Sequence, residues 1–245
     1  MNDTKIISKN VLEIQVEKFY RRLLKKKTIR ICIYIEFIIF YPGLIIAIII
    51  ANNYSPNGYN LIQNYISDLG SIHFTPAPYI FNTIAIITSI IIIPIFLFFE
   101  EILSSSSNKR IKIIHSSKLR KILINIGKIA LLLGSMGLCC IGIFNEDFPI
   151  IQVHILFAAL AFGGFTVGGV ITGLIVILKK TIIPQSIGYY MTIYSLILII
   201  LRLFHFLPLI TIPLIEWSWF LGILVWLMPI TIILLRSLEK SIQNE

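Results

Sequence analysis

The chain has 245 residues, of which 57% are hydrophobic and only 13% are charged, and its mean hydropathy is +0.89. A soluble domain carries about 25% charged residues, so this composition excludes an ordinary soluble protein and predicts an all-α, polytopic membrane protein. The formal net charge of +9 does not indicate a nucleic-acid-binding protein, because the basic residues form blocks beside apolar runs and no recognition motif accompanies them.

The first predicted element is a basic amphipathic segment over residues 1–28. Apolar residues recur at helical spacing between Val11 and Leu23. Basic residues are concentrated near its end: Arg21, Arg22, Lys25, Lys26 and Lys27. We expect this segment to lie on the cytoplasmic leaflet and to bind anionic headgroups, together with the basic loop at 109–121. The alternative is a solvated, partly ordered tail.

Six apolar segments follow, each near the length of about 20 residues that crosses a bilayer. They cover residues 29–50, 77–99, 122–144, 151–178, 187–207 and 217–235. The sequence therefore predicts a six-transmembrane-helix bundle over residues 29–236 and a short tail over 237–245.

The distribution of lysine and arginine orients this bundle. Basic residues occupy the N-terminal segment, the loop at 100–121, positions 179–180 and the tail, whereas the loops at 51–76, 145–150 and 208–216 contain none. By the positive-inside rule both termini are cytoplasmic, and we expect the protein in the plasma membrane.

Titratable residues are concentrated on the predicted outer side. The candidate ligand-binding residues are Ser67, Asp68, His73, Glu146, His154, Arg202 and His205. An arginine inside a span costs about 2.5 kcal/mol or more unless it is paired, and Asp68 and Glu146 are the predicted counter-ions of Arg202. The alternative is that Arg202 extends outward to a lipid phosphate.

Several residues are predicted to have structural roles. The SDLG stretch is typical of a turn in which Gly70 adopts a positive φ. Glu36 and Lys128 lie at similar depths in the first and third spans, which favours an ion pair. Gly164 and Gly168 form a small-residue face that allows close helix packing against the third span.

The cysteines do not indicate a metal or redox site. Cys32, Cys139 and Cys140 all lie within apolar runs, where they are typical small hydrophobic residues. No metal-binding motif is present, so the sequence predicts neither a metal nor another cofactor.

Short motifs resemble a known membrane family. YISDLGS at 65–71, TPAPYIFN at 75–82, GIFNEDFP at 142–149 and VHILFAALAF at 153–162 are similar to the signature of domain of unknown function 998. The layout also resembles the damage-regulated autophagy modulator superfamily, whose relatives act in lipid or GPI-anchor handling. The resemblance covers about residues 41–207. It implies a six-helix bundle and gives Ser67, Asp68, Gly70 and His154 as the matched positions. The proline expected before the acidic residue is replaced here by NED.

Three functions are compatible with the sequence. The favoured hypothesis is a protein without catalysis that binds, senses or distributes a polar lipid, with Arg202 holding its phosphate. The second is an intramembrane lipid hydrolase or acyl or phosphoryl transferase, with His154 as general base and Asp68 orienting it. The third is a transporter, which the apolar middle of the spans disfavours. The sequence predicts neither the ligand nor the oligomeric state.

Overall fold

The computed structural model describes residues 14–56, 58–105, 117–178, 181–203 and 211–243. Throughout these ranges the regular secondary structure is helical and no β-strand is present. Six helices are long and apolar enough to cross a membrane. The predicted fold class, an all-α polytopic bundle with six spans, is therefore confirmed, while the cytoplasmic placement of the termini stays a prediction.

The helices follow one another along the chain, and the connection between the first and second spans is the long loop at 55–77. Residues 14–23 form α1, which exposes the apolar side chains of Ile14, Val16 and Phe19. The remaining elements are α2 (Lys26–Ile35), a π-helical turn (Glu36–Phe40), α3 (Tyr41–Tyr54), α4 (Pro78–Ser105), α5 (Ser117–Ile143), α6 (Ile151–Leu178), α7 (Gln185–Leu203) and α8 (Ile212–Gln243). The first span consists of α2, the π-helical turn and α3.

The π-helical turn has a cause in the sequence. Pro42 lies two residues after it, has no N–H to donate to the carbonyl of Ile38, and crowds that carbonyl with its ring. The helix accommodates this defect by widening into a π turn, which begins at Glu36. By contrast, α4 and α8 continue through Pro94 and Pro229 as α-helices.

Glycines allow α5 and α6 to pack in direct backbone contact. A Cβ atom on Gly164 would lie 2.4 Å from the backbone N of Gly134, and one on Gly137 would lie 2.4 Å from the N of Ala161. Gly168 extends the same face, because its Cβ would lie 2.6 Å from the Leu131 side chain. No larger residue fits at these positions without separating the helices.

The loop between α3 and α4 folds back onto the end of the bundle. Ile66 and Leu69 are buried there against Leu44, Ala47 and Trp217. Residues 67–70 form a short 3-10 turn (Ser67–Gly70). The buried side chains before and within this turn anchor it, so Ser67 and Asp68 are held at the helix ends.

Helix α8 begins earlier than the sequence analysis predicted. Thr211 caps it, since its Oγ1 accepts a hydrogen bond from the backbone N–H of Leu214 at 3.3 Å. Pro213 lies in the first turn, where its missing N–H has no cost. Glu216 therefore lies on a helix and not in the preceding loop.

Candidate functional site

Three carboxyl groups from distant parts of the chain meet beneath the 3-10 turn. Ser67 Oγ donates a hydrogen bond to Glu146 Oε1 at 2.5 Å and approaches Glu216 Oε1 at 3.4 Å. The backbone N–H of Ser67 also donates to Glu216 Oε1 at 3.3 Å. Asp68 and the nearby His154 complete the group. We refer to Ser67, Asp68, Glu146, His154 and Glu216 as the carboxyl cluster.

Asp68 is the buried acid of this cluster. It is 3% exposed and its Oδ2 accepts hydrogen bonds from the backbone N–H of Tyr65 at 3.0 Å and from Asn64 Nδ2 at 3.3 Å. Burial, then the charge and hydrogen bond of Glu146, raise the pKa of Asp68 to about 7, against the opposing effect of Asn64 and Tyr65. Two carboxyl groups in hydrogen-bond contact cannot both be ionised without a penalty, so Asp68 retains its proton up to about neutral pH.

His154 has a fixed orientation. Its Nδ1 lies 2.8 Å from the carbonyl oxygen of Phe144, and a carbonyl only accepts, so Nδ1 carries the hydrogen. Nε2 then points toward Glu146 Oε1, which lies 4.0 Å away. The Phe144 carbonyl therefore orients this ring, a role that the sequence analysis gave to Asp68. Ser67 Oγ donates to Glu146 and not to His154, so these contacts contain no serine–histidine nucleophile pair.

Aromatic residues hold the loop that carries the cluster. Tyr59 OH donates to the carbonyl of Tyr65, and Trp217 Nε1 donates to the carbonyl of Asn64 at 3.0 Å. Burial is the main cause that raises the pKa of Tyr59, so its phenol stays a donor. Neither Tyr59 nor Trp217 was predicted from the sequence. For Trp217 the signal available was its position at a span end, where tryptophan places an apolar ring and a polar tip.

Gly70 is required for space and not for backbone conformation. Its carbonyl accepts hydrogen bonds from Asn82 Nδ2 and Asn145 Nδ2, both at 3.0 Å. A Cβ atom on Gly70 would lie 2.3 Å from Asn82 Oδ1. Among the described residues only Gly58 has a positive φ, so the expectation of a positive φ at Gly70 is wrong.

His73 lies outside the carboxyl cluster. Its side chain is 77% exposed, and its Nε2 lies 4.0 Å from Asp147 Oδ1. Asp147 itself accepts hydrogen bonds from Ser71 Oγ at 2.7 Å and from the backbone N–H of Ile72 at 2.9 Å. This side of the loop is therefore a hydrogen-bonded turn in which Asp147 has a structural role.

Arg202 lies at the exposed end of α7, near the cluster but not within it. Burial and the charges of Glu216 and Asp68 raise the pKa of Tyr65, and the nearby Arg202 opposes this rise. The ion pairs between described residues do not join Arg202 to Asp68 or Glu146. His205, the other predicted residue of this region, lies outside the described residues.

A central cavity extends from the carboxyl cluster into the bundle. Its empty space, including the open end, is about 760 Å³. Ser67, His154 and Glu216 line one end. Its walls are apolar, and their aromatic residues are Phe40, Phe81, Phe162, Phe165 and Phe220. Glu36 and Thr88 lie deeper along the same cavity.

The predicted ion pair between Glu36 and Lys128 is not among the ion pairs of the described chain. Glu36 is 1% exposed and lines the central cavity, while Lys128 lines a separate small cavity with Phe96 and Thr172. Equal depth was the basis of the prediction, but pairing also requires that the two helix faces meet. The π-helical turn changes the direction of the side chains that follow α2, and a regular helical period does not predict this.

The cluster does not have the form of a metal centre. Within the described ranges no group of three or more His, Cys, Asp or Glu side chains is arranged to hold a metal ion. Comparisons of the chain with protein-family models, with curated proteins and with solved structures found no match. The family resemblance given by the short motifs therefore stays an expectation.

Proposed function

We propose that this protein binds a polar membrane lipid without chemically altering it. The headgroup lies at the carboxyl cluster and an apolar chain enters the central cavity. The observation that carries the proposal is the continuity of these two features: a cavity with aromatic and aliphatic walls ends at Ser67, His154 and Glu216. A few polar groups at the end of an apolar pocket are typical of ligand sites.

The cluster favours a headgroup that donates hydrogen bonds. Carboxylate oxygens only accept, so Glu146 and Glu216 suit amine or hydroxyl groups. A phosphate would be repelled by these acids and belongs outside the cavity. Arg202, which is exposed and acts electrostatically on Tyr65 beside the cluster, is placed to contact such a phosphate. A phospholipid with a donor-bearing headgroup fits both features.

The experiment is to purify the protein from its native membrane in mild detergent and to identify the bound lipids by mass spectrometry. Replacing Glu216→Gln removes one acceptor charge at the mouth of the cavity and keeps the side-chain shape. We expect one headgroup class to be enriched on the wild-type protein and to fall about 10-fold or more in this variant.

The matched control is Glu239→Gln, on the same helix. Glu239 is exposed and accepts a hydrogen bond from Tyr34 OH at 3.1 Å, away from the residues that line the cavity. This variant should retain the lipid. Equal lipid content in Glu216→Gln and Glu239→Gln, with both proteins folded by thermal melting, would contradict the proposal.

A further inference from the structure

We infer that the central cavity has a second binding point at Glu36 and Thr88, which takes the ammonium group of a lipophilic amine. This site goes beyond the proposed lipid-headgroup site, because it lies on different residues deeper in the bundle. It also has its own ligand chemistry, an organic cation with an apolar chain.

The first support is a pair of buried polar atoms without partners among the described residues. Glu36 is 1% exposed and Thr88 is 4% exposed, and no described residue forms a hydrogen bond with Glu36 Oε2 or Thr88 Oγ1. Both residues line the same cavity. Buried polar groups are nearly always hydrogen-bonded, so two unsatisfied oxygen atoms in one cavity indicate a ligand that donates hydrogen bonds.

The charge of the lining residues selects the kind of donor. Among the described residues, the cavity lining contains the acids Glu36 and Glu216 but no lysine or arginine. An ammonium group has three hydrogen-bond donors, which suit a carboxylate and a hydroxyl, and its charge compensates that of the carboxylate. An anionic ligand is repelled here, and an alcohol supplies a hydrogen bond without the charge.

The walls suit the rest of such a ligand. Phe40 and Phe165 are among the aromatic residues of the lining, and aromatic faces attract organic cations. The remaining aliphatic lining, including Ile92 and Leu227, suits an alkyl chain. Glu36 also begins the π-helical turn, a feature often found at functional sites because it redirects side chains.

The experiment uses the full-length protein in phosphatidylcholine nanodiscs. The probe is a twelve-carbon primary amine with a diazirine in its chain, which is photocrosslinked and mapped by mass spectrometry. We expect labelled peptides from α4, α6 and α8, and displacement of the probe by dodecylamine at concentrations about 10-fold lower than by dodecanol. Equal displacement by the alcohol would overturn the inference.

The variants test each oxygen separately. Glu36→Gln keeps the shape and removes the charge, and we expect it to weaken probe binding about 10-fold or more. Thr88→Val is nearly isosteric and should weaken binding about 3-fold, and it provides a second test if Glu36→Gln does not fold. The control Glu239→Gln should bind the probe as the wild type does. Unchanged binding in either cavity variant would overturn the inference.

This test is distinguishable from that of the lipid proposal. If Glu216→Gln loses its co-purified lipid while Glu36→Gln still binds the amine, only the second binding point is contradicted. If Glu36→Gln loses the amine while Glu216→Gln retains the lipid, only the proposed headgroup site is contradicted.

Discussion

Glu146 is the residue on which the geometry of the carboxyl cluster depends. Its Oε1 accepts the hydroxyl hydrogen of Ser67 and faces His154 Nε2 at 4.0 Å, while its carboxyl group contacts Asp68. These partners come from the α3–α4 loop and from α6, and Glu146 itself lies between α5 and α6. A single acid therefore links three parts of the chain, and its neighbour Asp68 must retain a proton for the cluster to be stable at neutral pH.

The raised pKa of Asp68 predicts how stability depends on pH. The folded-state pKa of about 7 exceeds the ordinary value of 3.8, so between these values the folded protein binds more protons than the unfolded chain. Stability from this group is therefore fully present below about pH 4 and is lost as the pH rises toward 7. We expect Asp68→Asn to flatten this decline. In thermal melts between pH 4 and 8, the fall in melting temperature should be smaller in this variant than in the wild type by about 2–4 °C, the equivalent of about 1 kcal/mol.

The asparagine variant is a suitable probe because its side-chain oxygen can still accept from Tyr65 N–H and Asn64 Nδ2. The control is His73→Gln, since the His73 side chain is 77% exposed and does not belong to the cluster. That variant should keep the wild-type slope. Parallel slopes for Asp68→Asn and the wild type would show that Asp68 does not hold a proton in the folded state.

At the scale of the elements, the contact between α5 and α6 gives a sharp comparison of neighbouring glycines. A Cβ atom on Gly164 would lie 2.4 Å from Gly134 N, whereas a Cβ atom on Gly163 would meet nothing within 4 Å. We expect Gly164→Ala to destabilise the protein by about 1–3 kcal/mol, because backbone atoms must move apart. Gly163→Ala should be neutral or stabilising by up to about 1 kcal/mol, because alanine is the better helix former.

Thermal melting of the two variants beside the wild type measures this difference. Both changes add one methyl group to the same helix, so helix propensity and hydrophobicity cancel in the comparison. Equal melting temperatures would mean that α5 and α6 do not approach as closely as the glycines allow.

At the scale of the whole molecule, length and hydropathy were sufficient to predict the six spans, because a bilayer-spanning helix needs a long apolar run. The convergence of Ser67, Glu146 and His154 could also be predicted, since the positive-inside rule placed all three residues on the same side of the membrane. The position of Glu36 on the cavity wall could not be predicted from the sequence. Its direction depends on the π-helical turn before Pro42, and a uniform helical period does not contain such a defect.

The helical position of Glu216 and the packing of Gly70 were not predicted from the sequence. Glu216 joined the cluster because the Thr211 cap starts α8 early, although threonine followed by an early proline was a readable start signal. Gly70 is fixed by Asn82 and Asn145, which are distant in the chain. Rotation of each helix about its axis is set by the packing of all its neighbours, so residue pairs across helices follow only from the assembled bundle.

The orientation of the bundle in the membrane decides which leaflet would supply the proposed lipid. The loops that carry the cluster contain no lysine or arginine, and the basic residues Lys118, Arg120 and Lys121 lie at the opposite end of α5. The positive-inside rule therefore predicts that His73 faces outward and Lys118 faces the cytoplasm. Single cysteines at these exposed positions, introduced after replacing Cys32, Cys139 and Cys140, test this with a membrane-impermeant maleimide. We expect His73→Cys to react in intact cells and Lys118→Cys to react only after permeabilisation. The reverse pattern would place the carboxyl cluster at the cytoplasmic leaflet, and the lipid bound there would then come from the inner side.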